Sequence, residues 1–265
     1  MATGTSTPAV PARRGRVLPA FAWIGWRWIS RNPASAIAPI LLPFIFLYFL
    51  RIISSEQFLA PGLSAQAIFP LQVVGAMLFS TMNVGSWVLG DSAEWRIHRG
   101  LQDLFVASPL DKVRYLLGIA LSNLIAAAPA LVALAILLAS VWNVPWYAWP
   151  VLALALLVIW LLFSAIGIAI SSRLTSQREI WPVGALVFTT LGLLSPLYYP
   201  LAILPAGWRD IALVLPLTYA ALLCQGVLGI TSQSPGQLGL EALILVASAL
   251  IGIAIALRLY RWRAP

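Results

Sequence analysis

The sequence has 265 residues, of which 61% are hydrophobic and only 9% are charged, and its mean hydropathy is +0.94. Soluble domains carry about a quarter charged residues, so this composition excludes an ordinary soluble domain. The net charge of +8 would suggest a nucleic-acid partner in a soluble protein, whereas in a membrane protein it is typical of basic loops on one side. The apolar segments are hydrophobic all round for about twenty residues, which predicts an all-α, polytopic membrane protein rather than a β-barrel.

The chain begins with a polar, proline-bearing stretch that leads into a basic, tryptophan-rich one. Residues 1–15 show no apolar pattern, and we expect them to form a disordered cytoplasmic tail. Residues 16–32 predict an amphipathic helix in the membrane interface, because its arginines share one face and Phe21, Ile24 and Trp28 cluster beside them. The alternative is an irregular start of the first span. We favour the surface helix, since arginine on a spanning helix is costly.

Residues 16–265 are predicted to form a single transmembrane domain with six spanning helices. A polar segment separates the second span from the third, and prolines interrupt the apolar stretch before the last span. The prolines leave pieces of roughly 11–14 residues, which are too short to cross a bilayer and are interpreted as re-entrant or interfacial helices. The six spans are predicted at about residues 33–53, 67–90, 115–141, 151–170, 181–199 and 238–257.

The 16 lysine and arginine residues are divided unequally between the two sides that six spans create. Only Arg51 and Arg209 fall on one side. The positive-inside rule therefore predicts that both termini and the polar segment after the second span lie in the cytoplasm. We expect a multi-pass protein of the cell (inner or cytoplasmic) membrane. The other basic residues are Arg13, Arg14, Arg16, Arg27, Arg31, Arg96, Arg99, Lys112, Arg114, Arg173, Arg178, Arg258, Arg261 and Arg263.

The segment 91–118 is the long polar stretch inside this otherwise apolar sequence. Within it, Leu101, Leu104 and Phe105 recur at helical spacing before Pro109 ends the turn. The pattern predicts a short amphipathic helix between two spans, with one apolar face available to another molecule. We interpret this helix as the place where a partner protein acts on the chain.

Several kinds of chemistry lack the residues that they need. The only lysine, Lys112, has no glycine loop before it, which excludes a phosphate-cradling GxxxxGK[ST] loop. One histidine, His98, and one cysteine, Cys224, exclude ordinary histidine/cysteine metal clusters. We therefore expect no catalytic, cofactor or metal site in this chain. Because the predicted spans carry no charge near their midplane, unlike most ion-coupled carriers, the energy for any uphill transport should come from a separate protein.

The second predicted span carries a mostly polar stripe within about 80° of the helix surface. Its residues either line a pathway or a dimer interface, or form hydrogen bonds between helices worth on the order of 0.6 kcal/mol each; the sequence leaves both interpretations open. Thr189 and Thr190 in the fifth span are further candidates, although helix packing is favoured for them. The stripe consists of Gln72, Ala76, Ser80, Asn83 and Trp87.

Two stretches follow recognisable patterns. The first has acidic and basic residues before a glycine, then an acid with leucines, then Ser-Pro; it is carried by Glu94, Arg96, Arg99, Gly100, Asp103, Leu104, Ser108 and Pro109. The second has an aromatic residue before proline, another proline, a tryptophan-bearing short helix and Pro-Leu-Thr-Tyr; it is carried by Pro200, Pro205, Trp208, Pro216, Leu217, Thr218 and Tyr219. Together with the order of the elements, they resemble the permease subunits of type-2 (type V) ABC exporters. The resemblance extends over residues 16–263, with Leu101 where threonine is usual.

The resemblance implies a homodimer or pseudo-dimer bound to two copies of a separate ABC ATPase subunit, which holds the ATP and magnesium. By analogy, a helix at Glu94–Pro109, including Phe105, docks on the ATPase, and the second and fifth spans line an exit path for an amphipathic drug, a lipid or a lipid-linked glycan. Membrane lipid is an expected contact, and nucleic acid is not. The alternative is an assembly protein that binds a partner through the same helix without transport. An intramembrane enzyme is disfavoured, because no span carries a catalytic set.

Overall fold

The computed structural model describes residues 17–53, 65–97, 101–108 and 110–260, and within these ranges every regular element is helical. The tail predicted at residues 1–15 lies outside them. The helices, in chain order, are α1 (Val17–Arg31), α2 (Pro33–Ile53), α3 (Ala65–Ile97), α4 (Leu101–Ala107), α5 (Lys112–Val141), α6 (Ala148–Ser171), α7 (Gln177–Leu194), a 3-10 turn (Leu201–Ile203), α8 (Ala206–Val214), α9 (Pro216–Val227) and α10 (Pro235–Leu259).

Among the described residues, α3, α5, α6 and α10 are long and apolar enough to cross a membrane. A fifth candidate span arises if α8 and α9, which meet at 96°, are counted as one broken span. The all-helical membrane fold is therefore confirmed, with four or five candidate spans, while the count of six stays a prediction. The bounds of α2, Pro33–Ile53, coincide with the predicted first span. The first turn of α7 carries Arg178 and Glu179, which shortens its apolar run.

The segment predicted as polar, 91–118, is mostly continuous with the helices beside it. Helix α3 runs on to Ile97, and α5 already begins at Lys112, so the short helix between them covers only seven residues. The short helix predicted from Leu101, Leu104 and Phe105 is α4, whereas Glu94, which the resemblance assigned to the docking helix, belongs to α3. Packing explains why α3 continues past the apolar run. Ser92 is fully buried, and buried backbone N–H and C=O groups need hydrogen-bond partners, which a continued helix supplies.

Helix α3 forms the centre of the bundle and packs against α5, α6 and α7. It approaches α6 closely: a Cβ atom on Gly85 would overlap the carbonyl oxygen of Phe163, and one on Gly167 would overlap the carbonyl oxygen of Gly85. Small residues at such positions let helix backbones approach closely, which is how helices associate in lipid without a hydrophobic driving force. The two glycines thus fix the central pair of helices.

Helix α1 matches the bounds predicted for the N-terminal helix, 16–32, to within one residue at each end. It packs against α5, and its buried residues are Phe21 and Gly25. Ile24 and Trp28, which the sequence placed on the same apolar face as Phe21, are nearly half exposed. Phe21 and Gly25 are therefore the residues that fasten α1 to the bundle. The position of α1 in a membrane interface stays a prediction.

The proline-rich stretch before α10 folds into the 3-10 turn, α8 and α9. Pro200, which is buried, precedes the 3-10 turn, and Pro205 precedes α8. Trp208 on α8 is 54% exposed. The Pro-Leu-Thr-Tyr sequence forms the bend into α9: Pro216 occupies its first position, where no backbone N–H is needed. A re-entrant position of this pair in the membrane stays a prediction.

Two hydroxyl groups stabilise the bend between α8 and α9. The Thr218 hydroxyl donates to the Ala212 carbonyl oxygen at 2.6 Å, and the Tyr219 hydroxyl donates to the Leu213 carbonyl oxygen at 2.7 Å. The carbonyls at the end of a helix lack partners within that helix. The side chains of α9 therefore bind the end of α8, which holds the two short helices at their steep angle.

Candidate functional site

The short helix α4 is held against the bundle by one aromatic side chain. The Phe105 ring lies 5.9 Å from Trp95, 5.9 Å from Phe21 and 5.2 Å from Tyr115, measured between ring centroids. These rings, which we call the aromatic cluster, belong to α4, α3, α1 and α5. Each such pair contributes roughly 0.5–1.5 kcal/mol beyond the burial of its area. Phe105 thus connects α4 to three other helices.

A hydrogen bond provides a second anchor for α4. The Tyr260 hydroxyl, just after α10, donates to Gln102 Oε1 at 3.0 Å, and both residues are buried. Burial raises the pKa of Tyr260 from 10.0 to about 12, so its hydroxyl keeps its proton and can donate at neutral and at mildly alkaline pH. Helix α4 is therefore tied to the end of α10 as well as to the aromatic cluster.

The opposite face of α4 is open. Asp103, Leu104 and Ala107 are exposed, and Leu104 is 67% accessible despite its apolar side chain. The sequence grouped Leu104 with Phe105 on one partner-binding face, but consecutive residues on a helix point about 100° apart. The structure turns Phe105 inwards and leaves Leu104 as the apolar residue that a partner could reach.

The ends of α4 account for the remaining residues of the predicted motif. The Ser108 hydroxyl donates to the Phe105 carbonyl oxygen at 2.7 Å, which closes the last turn as expected of a residue before proline. Arg99, Gly100 and Pro109 lie outside the described residues. Glu94 belongs to α3 and lines a cavity beside α4.

Two basic side chains close helix ends beside α4. The Lys112 ammonium group donates to the carbonyl oxygens of Leu257 and Tyr260 at the end of α10, and the Arg96 guanidinium donates to those of Ser171 and Leu174 at the end of α6. Cations at helix C-termini bind these carbonyl oxygens and interact favourably with the negative end of the helix dipole. The sequence treated both residues as loop charges. The contacts could not be found locally, because the partners are 75 to 148 positions away.

The polar stripe of α3 does not form one continuous surface. Gln72 is 0% exposed inside the single chain, so at this position the helix-packing interpretation fits better than a pathway or dimer interface. Ser80 and Asn83 are half-buried, and Asn83 Nδ2 donates to the Phe79 carbonyl oxygen at 3.0 Å. Each of these positions has its own surroundings, and Trp87, one helical turn farther on, lines the cavity with Glu94.

Thr189 and Thr190 lie on an exposed part of α7. Packing inside this chain, the interpretation favoured from the sequence, therefore does not describe them. They remain candidates for a surface that faces a pathway or a second subunit.

The cavity that Trp87 and Glu94 share has a volume of about 570 Å³ and lies between α1, α3, α5 and α7, at the end of the bundle where α4 lies. Sequence analysis did not identify it. Its walls also include Trp28 and Trp181, which belong to helices far apart in the chain, so no spacing along the sequence could indicate it.

Comparison with known proteins places the chain in a family. The model of the ABC-2 type transporter family matches residues 17–227, from α1 to the end of α9. No individual curated protein matches the sequence. The matched region contains α4 and the bend between α8 and α9, the two features on which the sequence resemblance depended. The chain is therefore a multi-pass membrane protein of the ABC-2 type transporter family, the transmembrane permease component that pairs with an ABC ATPase subunit.

Proposed function

We propose that this protein is the permease subunit of an ATP-driven exporter, that it works as a dimer, and that two ATPase subunits supply the energy. The observation that carries the proposal is α4: an exposed apolar side chain, Leu104, on a short helix that is fixed from behind to α1, α3, α5 and α10. Catalysis, ATP and magnesium belong to the ATPase, and this chain itself acts on no bond. The cargo is an amphipathic drug, a lipid or a lipid-linked glycan.

The connections behind α4 explain how movement of an ATPase would reach the spans. A displacement of α4 is passed to α1, α3 and α5 through Phe105, and to α10 through the hydrogen bond between Tyr260 and Gln102. Packed interiors are dense and change between discrete arrangements rather than deforming continuously. Rocking of α4 by the ATPase would therefore move helix ends as a unit and change the opening between two permease subunits.

The distribution of charge supports a position of α4 on the cytoplasmic face of the cell membrane, with both termini on that side. Arg96, Lys112 and Arg178 lie at the end of the bundle where α4 lies, whereas Arg209 lies in α8 at the other end. Basic residues accumulate in cytoplasmic segments of membrane proteins. The ATPase, a cytoplasmic protein in this scheme, would then find α4 within reach.

The test is a charge placed on the open face of α4. Leu104→Glu should abolish co-purification of the ATPase with the tagged permease from the cells that express both. ATP-dependent efflux should be lost as well. A lost contact of this kind is worth about 2 kcal/mol, or roughly thirtyfold in affinity. Because Leu104 is exposed, insertion and thermal stability should not change.

The matched control is Trp146→Glu, an exposed apolar residue changed to the same acid in the turn between α5 and α6. It should leave both ATPase recovery and efflux at the wild-type level. Undiminished recovery of the ATPase with Leu104→Glu would show that α4 is not the docking element.

A further inference from the structure

The cavity beside α4 is large enough for a small molecule. Its volume of about 570 Å³ falls inside the range of about 300–1,000 Å³ that is usual for ligand sites. It lies between the helix predicted for the membrane interface, α1, and the first turn of α7, next to the end of α3. A molecule that partitions into the membrane surface would therefore meet it without crossing the bilayer.

Four tryptophans from three helices line this cavity: Trp28 on α1, Trp87 and Trp95 on α3, and Trp181 on α7. Trp28 and Trp181 are 45% and 65% exposed, so their rings are not fully engaged in packing. The face of an indole ring attracts cations better than that of any other side chain. Such walls suit a ligand that is both apolar and positively charged.

The charged side chains that line the cavity have the matching sign. Asp91 and Glu94, three residues apart on α3, are the only charged side chains among the described residues that line it, although the chain as a whole carries +8. Asn123 Nδ2 donates to Asp91 Oδ2 at 2.8 Å, which holds that carboxylate in place. Neighbours three apart on a helix share a face, so the two acids lie on the same wall as the tryptophans of α3.

We propose that this cavity binds an amphipathic organic cation, a hydrophobic ammonium or phosphonium ion, as the cargo of the permease. The cationic centre lies against Asp91, Glu94 and the indole faces, and the apolar body lies against Ile24 and Ile180. This inference rests on the proposed export function, whose cargo class it narrows.

The site is also connected to α4. Trp95 forms part of the cavity wall, and its ring stacks on Phe105 of α4 with an interplanar angle of 20°. A ligand that displaces Trp95 must therefore change the contact that fastens α4 to the bundle. Occupation of the cavity and the position of α4 are linked through one pair of rings.

The test uses the full chain in uncharged detergent micelles and measures binding of radiolabelled tetraphenylphosphonium by equilibrium dialysis. Binding should saturate, and the size-matched anion tetraphenylborate should not compete for it. Asp91→Asn and Glu94→Gln should each weaken binding about tenfold, since each removes a unit charge close to the cation. Asp91→Asn keeps an oxygen that can accept the hydrogen bond from Asn123. Asp210→Asn, an exposed acid on α8, is the matched control and should have no effect.

A second pair of variants tests the aromatic wall. Trp181→Ala should weaken tetraphenylphosphonium binding about fivefold, as expected for the loss of one cation–π contact. Trp146→Ala removes a more exposed tryptophan away from the cavity and should leave binding unchanged. Both side chains are largely exposed, so neither change should impair folding.

The inference is overturned if binding is unaffected by Asp91→Asn and Glu94→Gln, or if tetraphenylborate binds equally well. It is also overturned if added phosphatidylcholine displaces the probe, because the cavity would then hold a lipid headgroup. The measurement needs no ATPase. Binding can therefore be present in a chain that proves not to export, and absent in one that does, so the two proposals fail separately.

Discussion

Leu104 and Phe105 are neighbours in sequence but have opposite roles in the structure. The ring of Phe105 is surrounded by Phe21, Trp95 and Tyr115, while Leu104 is largely open. The first residue stabilises the position of α4, and the second is available to a partner. Substitutions at the two positions should therefore separate stability from partner binding.

We expect Phe105→Ala to lower the free energy of unfolding by about 2 kcal/mol, less than the roughly 3–5 kcal/mol of a fully buried phenylalanine, because the side chain is half-buried. Thermal unfolding of the purified chain in detergent measures this. Leu104→Ala, on the exposed face, should change the unfolding temperature little. Phe105→Leu keeps most of the apolar volume and should lie between the two. Equal effects of the two alanine variants would contradict the inward position of Phe105.

At the scale of the elements, the bend between α8 and α9 depends on hydroxyl groups. Thr218 is fully buried, and its hydroxyl binds the Ala212 carbonyl oxygen, which also accepts from the Leu215 N–H at 3.0 Å. Because that carbonyl keeps one partner when the hydroxyl is removed, the loss should be moderate. Thr218→Val should cost about 1 kcal/mol, the net value of one hydrogen bond.

Hydrogen exchange followed by mass spectrometry can localise the effect of Thr218→Val. The variant should increase exchange in residues 206–214, the whole of α8, while leaving α5 unchanged. Thr218→Ser retains the hydroxyl and should stay near the wild-type rate. Faster exchange with Ser than with Val would contradict a role for the hydroxyl at the bend.

The limits of α5 and α10 are set by local physics, whereas α3 runs on to Ile97, past its predicted end at residue 90, because of packing. The apolar run and cap residues of α10, with a Ser234–Gln237 capping box, and the Asp111 cap of α5 are readable along the chain. The face that α4 exposes could not be predicted from the sequence, because it is decided by Phe21 and Trp95 on other helices. The cavity was missed for the same reason: it exists only where four helices meet.

At the scale of the whole molecule, the two ends of the bundle differ in kind. One end contains α4 and the aromatic cluster. At the same end, Arg96 and Lys112 bind the terminal carbonyl oxygens of α6 and α10. The other end holds α8, α9 and the turn between α5 and α6, where the Trp142 indole N–H donates to the Leu228 carbonyl oxygen at 2.8 Å. The proposed mechanism needs the first end to face the ATPase, so the orientation of the chain is its most direct test.

Cysteine labelling in intact cells can determine that orientation, because the chain has a single native cysteine, Cys224, which is buried. In a Cys224→Ala background, Asn143→Cys places a thiol in the exposed turn after α5, and Ala107→Cys places one on the open face of α4. A membrane-impermeant maleimide should label position 143 in intact cells and position 107 only after permeabilisation, since the one span between them, α5, puts them on opposite sides. Equal labelling of both in permeabilised cells controls for expression and accessibility. The reverse pattern would place α4 outside the cell, where no ATP-driven partner could reach it, and the proposed mechanism would fail as a whole.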